Sequence, residues 1–167
     1  MKSRGFEGMT CSIASVMGTL GDRWGTIIMR DLILGLTRYD DLRRSSGITN
    51  ATLSDRLKVL EQNGLIERRQ YQSRPDRYEY VPTPMGRDVG LVMQAMVQVG
   101  DKWNLPELKG PPVRFVDNVS GHEVKVALVD AETGELVSPQ NIRAVPGAGA
   151  DELTIWRVSR RPEAKAS

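Results

Sequence analysis

Leu53, Leu57 and Leu60 recur at steps of four and three, so they share one face of a helix and leave Ala51, Asp55, Lys58 and Gln62 on the opposite face. That opposite face is small and polar, with no bulky apolar group. Thr49 is placed to cap this helix through its hydroxyl, and Asn63-Gly64 supplies the left-handed residue that ends it. Upstream, residues 39–46 read as a short helix and Gly47-Ile48 as a tight turn. Helix, glycine turn, helix predicts a helix-turn-helix. Residues 65–71 and 77–81 follow as two β-prone runs around the polar tip 72–76, which predicts a hairpin, and a hairpin directly after a helix-turn-helix is a wing.

The flanking segments are patterned to support this unit. Thr10 is placed to cap a first helix with Ile13, Val16, Met17 and Leu20 on one side, and residues 1–8 read as a mobile arm. Asp22 caps a second helix in which Trp24, Ile27, Ile28, Met29, Leu32, Ile33 and Leu34 are apolar almost all round, the pattern of a helix buried on most faces. Thr83 and Pro84 open a long third element, with Pro at the first helical position where its missing N–H does no harm. Along it Met85, Val89, Val92, Met96, Val99 and Trp103 alternate in steps of four and three. Such a stripe predicts one helix lying along another. A dimer interface built from Val89, Val92, Met96, Val99 and Trp103 with Ile13, Val16 and Met17 explains it, and an intramolecular core helix is the alternative. Gly90 and Gly100 weaken this helix but permit close backbone approach along it.

Beyond Trp103 the texture changes. Pro106 and Gly110-Pro111-Pro112 break the helix, and residues 113–119, 123–129, 135–137 and 153–158 read as short strands between turns. The fold class expected is therefore mainly α with a β wing: a winged helix-turn-helix domain over 1–105, a small β-rich C-terminal appendage over 106–159 and a disordered tail from 160 to 167. The appendage has too few large apolar residues to fold alone.

Composition narrows the function. The 167 residues are 40% hydrophobic and 26% charged, with a net charge of +2, so nucleic acid would be bound through a local patch rather than an overall field. Residues 1–105 hold 15 basic and 12 acidic side chains (+3), against 8 and 9 (−1) in the remainder. A single cysteine excludes an intramolecular disulfide and points to the reducing cytoplasm. No apolar run reaches the ~20 residues of a membrane helix, and the first ten residues lack a signal peptide's apolar centre. With one histidine and no nucleophile, phosphate-loop or paired-carboxylate arrangement, neither an enzyme nor a cofactor is indicated.

The candidate chemistry is DNA binding. From Arg68 to Arg77 the hairpin carries four arginines and one aspartate, and guanidinium groups at Arg74 and Arg77 suit phosphate or minor-groove contacts. Arg68 and Arg69 have a second reading as charges that blunt an edge strand. On the helix that would enter the major groove, Asn50, Ala51, Thr52, Ser54, Asp55, Arg56 and Lys58 lie nearest the bases, and Arg38 and Thr49 complete the set. Ala51 offers only a methyl contact, and Asp55 can accept only from cytosine N4. The competing class is a winged helix used as a protein-interaction or dimerisation module without operator DNA, which would not require the arginine-rich wing.

Cys11, Gly21-Asp-Arg-Trp24, Arg30-Asp-Leu32, Arg38-Tyr-Asp-Asp-Leu-Arg43, Leu53 to Leu60, Asn63-Gly-Leu65 and above all Arg77-Tyr-Glu-Tyr-Val-Pro-Thr-Pro-Met-Gly-Arg87 resemble the HxlR family of winged-helix transcriptional regulators. This resemblance covers about two thirds of the chain. It implies a homodimer that binds double-stranded operator DNA, with added weight on Arg77, and it makes Asp55 unusual where a neutral or basic residue is common. Some members carry a C-terminal zinc ribbon. Ser120-Gly-His122 and Asp130-Ala-Glu-Thr-Gly134 resemble its two motifs with the cysteines replaced, so the appendage resembles a metal-free zinc ribbon, an oxygen site at Asp130 and Glu132 being the alternative. Several members sense oxidants through a cysteine at the start of the first helix, and Cys11 matches that position. Helix N-termini favour the negative thiolate that oxidants attack. With no second cysteine, a disulfide at Cys11 would have to join two subunits or recruit a small thiol. The other form of control is a small apolar or aromatic effector in a pocket between the long helix and the N-terminal helices.

Overall fold

The computed structural model describes residues 5–105 and 107–160. Of the expected tail from 160 to 167 only Arg160 is described, and the rest of it and the first four residues of the expected arm lie outside the described residues. In chain order the elements are α1 (Ser12–Leu20), α2 (Arg23–Ile33), α3 (Tyr39–Ser46), α4 (Asn50–Gln62), β1 (Ile66–Ser73), β2 (Asp76–Pro82), α5 (Pro84–Lys102), a 3-10 turn (Pro139–Asn141) and α6 (Glu152–Ser159). The described chain forms two compact units, residues 16–126, and residues 5–15 with 127–160.

The first unit is a winged helix, and its core follows from the apolar stripes. Ile28, Met29 and Leu32 of α2 pack with Leu42 of α3, Leu53, Leu57 and Leu60 of α4, Leu65, Ile66, and Val89 and Met93 of α5. Burying each such side chain contributes about 1.5–3 kcal/mol. Helix ends are held by side chains. Asp22 accepts from the Trp24 and Gly25 amides at 2.9 and 3.0 Å, Thr49 from Thr52 at 3.3 Å and Thr83 from Gly86 at 3.1 Å. Gly47, with φ of 68°, turns α3 into α4.

The wing is longer than its β-prone runs, with Ser73 paired to Asp76 and only Arg74-Pro75 left at the tip. Gln70 pairs with Tyr78 and Gln72 with Arg77, so Tyr71 is an extra, bulged residue in β1. The segment before α3 closes the other side of β2, through the Tyr80 amide to the Thr37 carbonyl at 2.8 Å and a bridge between Arg38 and Glu79.

The Thr-Pro-Met-Gly stretch locks α5 to the end of α4. Thr83 donates its hydroxyl to the Gly64 carbonyl at 2.6 Å and its amide to the Leu65 carbonyl at 3.0 Å. A Cβ on Gly86 would stand 2.0 Å from that Leu65 oxygen, and one on Gly25 would stand 1.9 Å from the Leu20 oxygen. The close approaches are thus at Gly25 and Gly86. At Gly90 and Gly100, where the sequence suggested them, a Cβ meets only ordinary contacts or open space.

Three expectations are corrected. The first helix begins at Ser12, and the Cys11 carbonyl accepts the Ser15 amide at 3.0 Å, so Cys11, not Thr10, holds the cap position. Residues 153–158 are helical rather than a strand, because Asp151 caps α6 by accepting from the Thr154 amide at 2.7 Å, with Glu152 in the first turn and Arg157 in the last. The remaining expected strands of the appendage reduce to two isolated bridges, Val116–Glu123 and Val129–Leu136. No described residue from 107 to 160 is buried, so this segment has no core of its own to support a sheet.

Each bridge closes an Asp-x-x-(Ser/Thr)-Gly turn. In one, the Asp117 carboxylate accepts from the Ser120 amide at 2.8 Å; in the other, Asp130 accepts from the Glu132 and Thr133 amides at 2.9 Å. The Ser120 hydroxyl and amide hold the Asp117 carboxyl, and the Thr133 and Glu132 amides the Asp130 carboxyl, below the ordinary carboxylate range. A donor set of one imidazole with amide-bonded carboxylates does not fit zinc. Among the described residues no group of three or more His, Cys, Asp or Glu is placed to hold a metal ion.

Candidate nucleic-acid interface

The leucine face of α4 is inward, which turns Asn50, Ala51, Ser54, Asp55 and Lys58 to the outside, all of them exposed. Neither Asp55 nor Lys58 has an ion-pair partner among the described residues. This is the surface expected of a helix that reads a groove.

Two candidates on α4 do other work. Thr52 is half-buried, and its hydroxyl bonds that of the cap Thr49 at 3.0 Å. Arg56 turns back to the body, where its Nε lies 2.8 Å from Asp22 Oδ2. Arg56 is therefore corrected from a base-facing residue to a strut that ties α4 to the N-terminus of α2. Burial pushes the Asp22 carboxyl up, but the Gly25 amide, the Arg56 guanidinium and the Trp24 amide outweigh it and hold it below its usual value. A carboxyl lowered on folding stabilises the fold above its unfolded pKa of about 3.9, and that stabilisation is lost as pH falls through the lower, folded value. Asp22→Ala should cost about 1–3 kcal/mol in urea unfolding at neutral pH. It should also cost less at pH 3 than at pH 7; an equal cost at both would show that the charge on Asp22 is irrelevant.

The wing arginines separate into committed and free ones. Arg69 bonds Glu67 through Nε at 2.7 Å, and the Arg68 guanidinium sits over the Tyr78 ring, 4.0 Å from its centre. Arg74 and Arg77 are exposed, with no ion-pair partner among the described residues. Arg38 stands at the N-terminus of α3, stacked 3.2 Å from the centre of the Tyr71 ring and 3.8 Å from Glu79 Oε2. Tyr39 donates to the Asn50 carbonyl at 3.0 Å and bonds the Ser54 hydroxyl at 3.0 Å, joining the start of α3 to the start of α4. Neither tyrosine has a sequence signal beyond an aromatic beside a polar run.

On α5 the stripe divides. Val89 lies in the core of its own chain and is corrected from the interface set, whereas Val92, Met96, Val99 and Trp103 are 42–69% exposed. On α1, Ile13, Val16 and Met17 are also exposed. Elsewhere along α5, Val97, Gln98 and Asp101 face Val113, Phe115 and Val124 across a cavity of about 360 Å³. The Gln98 amide bonds both the N–H and the carbonyl of Val126 at one side of it.

Residues 19–107, which hold the helix-turn-helix, the wing and α5, match the model of the HxlR-like helix-turn-helix family. The chain belongs to this family. It is similar to the uncharacterized HTH-type transcriptional regulator Rv3095 of Mycobacterium tuberculosis (strain H37Rv), 35% identical over 147 residues that make up 88% of this chain and 91% of the relative. A match of that length necessarily runs beyond α5, so the segment after it is shared too. The fold resembles the crystal structure of the transcription-factor candidate PA1607, with a TM-score of 0.72 and 25% identity over 86% of this chain and 100% of that one. It also resembles the redox regulator HypR in its oxidized form, with a TM-score of 0.51 and 28% identity over 55% of this chain and 96% of that one. HxlR proteins are DNA-binding transcription regulators. No helix among the described residues is long and apolar enough to cross a membrane.

Proposed function

We propose that this HxlR protein is a cytoplasmic, homodimeric repressor that reads operator DNA through α4 and grips the backbone through its wing. The observation that carries the reading is the pairing of an exposed, polar α4 face with wing arginines that no acidic residue among the described ones engages. A protein-interaction module would not require an arginine-rich wing. Within this reading Asn50, Ala51, Ser54, Asp55 and Lys58 approach the bases, and Arg74 and Arg77 contribute affinity that tolerates sequence. The exposed valines, methionine and tryptophan of α5 supply the apolar surface a dimer buries, and Ile13, Val16 and Met17 extend the set. The winged-helix domain of 1–105 carries both tasks, and residues 106–159 are accessory to it.

Control acts through Cys11 or through a small apolar or aromatic effector. The likeness to a redox regulator favours the thiol, and Cys11, half-buried at the cap of α1, is the free cysteine of this chain. One experiment tests the whole reading. Duplexes selected from a randomised pool are titrated with wild type and with Cys11→Ser, each with and without a mild oxidant. Salt-sensitive, sequence-selective binding is expected of both reduced proteins, and loss of binding on oxidation of the wild type alone. Absence of duplex binding by either would reject the regulator; identical behaviour under oxidant would remove the thiol and leave an effector to be found by ligand screening.

A further inference from the structure

Between the start of α3 and the wing lies a recess of about 370 Å³ lined by Arg38, Tyr39, Asp40, Tyr71, Arg77 and Tyr78. Two guanidinium groups and one carboxylate leave it one positive charge. Its second carboxylate neighbour, Glu79, is engaged by Arg38 and by the Thr37 hydroxyl at 3.4 Å. Three features make this more than a surface dip.

Tyr71 is the bulged residue of β1, and the bulge gives it a place outside the ladder, where its ring meets the flat face of the Arg38 guanidinium. A bulge is a common device for re-aiming one side chain without disturbing its neighbours. Arg38 Nη1 is buried yet has no hydrogen-bond partner. The Arg38 side chain as a whole is 40% exposed, so it is the open part of the guanidinium that an outside acceptor meets. Finally, α3 starts without a side-chain cap, since Arg38 occupies the cap position and makes no cap bond. The first amides of α3 thus have no side-chain cap, and helix N-termini favour anions. The Tyr39 bonds to Asn50 and Ser54 place all of this at the N-terminal end of α4.

We propose that this recess is the seat of one DNA backbone phosphate, held by Arg38 and Arg77 with the α3 amides, and that Tyr71 is a positioning residue that holds Arg38 flat for it. A seated phosphate at the head of α4 sets the register from which that helix reads bases, a role that phosphate contacts serve generally. The stacked ring fixes the plane of the guanidinium beside its 3.8 Å pairing with Glu79, and a planar guanidinium is what a bidentate grip on phosphate uses.

The inference rests on the DNA-binding reading, and the test separates the two. Affinity for a mixed-sequence duplex is measured against salt for wild type, Tyr71→Ala, Tyr71→Phe, Arg38→Ala and the double variant Arg38→Ala with Tyr71→Ala, each checked for native thermal unfolding. Loss of one phosphate contact flattens the log–log salt slope by about 0.9, so over a fourfold rise in salt the variant loses about 3.5-fold less affinity than wild type. Tyr71→Ala and Arg38→Ala should each show this, the double variant should show no more than either, and Tyr71→Phe, which keeps the ring, should keep the wild-type slope. A wild-type slope in Tyr71→Ala, additive losses in the double variant, or a Phe variant as impaired as Ala would each overturn the positioning role while leaving DNA binding intact. No duplex binding by the wild type would instead bring down the DNA-binding reading, and this inference with it.

Discussion

Gly86→Ala should cost the protein about 3 kcal/mol, a fall in melting temperature of roughly 10 °C. Its Cβ would stand 2.0 Å from the Leu65 carbonyl oxygen and 3.2 Å from Pro82 Cβ. The oxygen belongs to backbone that also accepts the Thr83 amide, so it cannot swing aside as a flexible side chain would. Relief requires α5 to move off the α4–β1 junction, with loss of contacts to the core through Val89 and Met93. The comparison is Gly100→Ala in the same helix, where the new Cβ meets nothing within 4 Å and better helix propensity should add up to about 1 kcal/mol. Thermal or urea unfolding of the two variants decides the matter, and equal behaviour would mean that close packing is not why glycine stands at position 86.

Reversing the charge of α4 at Lys58→Glu should weaken binding to a selected duplex by about 2 kcal/mol, roughly thirtyfold, with little change in stability. Lys58 is exposed and pairs with no acid among the described residues, so its removal costs the fold little and costs the DNA complex a cation close to the groove. Arg56→Ala should do the opposite. Arg56 is two residues away on the same helix, yet its guanidinium is held by Asp22, so the expected loss is in unfolding free energy, with near wild-type affinity in the folded fraction. Fluorescence anisotropy of labelled duplex beside urea unfolding reads both quantities. If Arg56→Ala lost affinity while Lys58→Glu kept it, the orientation of α4 would be rotated from the one described.

The helix-turn-helix, the wing and the caps at Thr49, Asp22 and Thr83 were legible in the sequence because each is a local matter. A hydroxyl or carboxylate meets an amide two or three residues on, and apolar spacing tells which face of a helix turns inward. The same local logic fails for residues 153–158, a short apolar run whose β-branched and aromatic content suits either state. Asp151 at its head tips it to helix, and among the described residues no strand pairs with it to draw it the other way.

Residues 113–137 show the limit from the other side. Their alternation suggests strands, but strands need a partner and a buried face, and here each turn is closed by its own Asp carboxylate over an exposed surface. The exposed α5 residues Val92, Met96, Val99 and Trp103 match their stripe, while Val89, in the same stripe, is consumed by the core because α2 and α5 converge at that level.

By itself, then, the sequence determined which segments are helices in the N-terminal two thirds, where those after the first begin, and that a basic hairpin follows a polar-faced helix, since these rest on contacts within a few residues. Only the tertiary structure decided that Arg56 faces Asp22, that Tyr71 stacks on Arg38 and that Gly86 lies against Leu65. Those pairs are 34, 33 and 21 residues apart in the chain, and contacts at such separations depend on how whole elements pack, which no local spacing encodes.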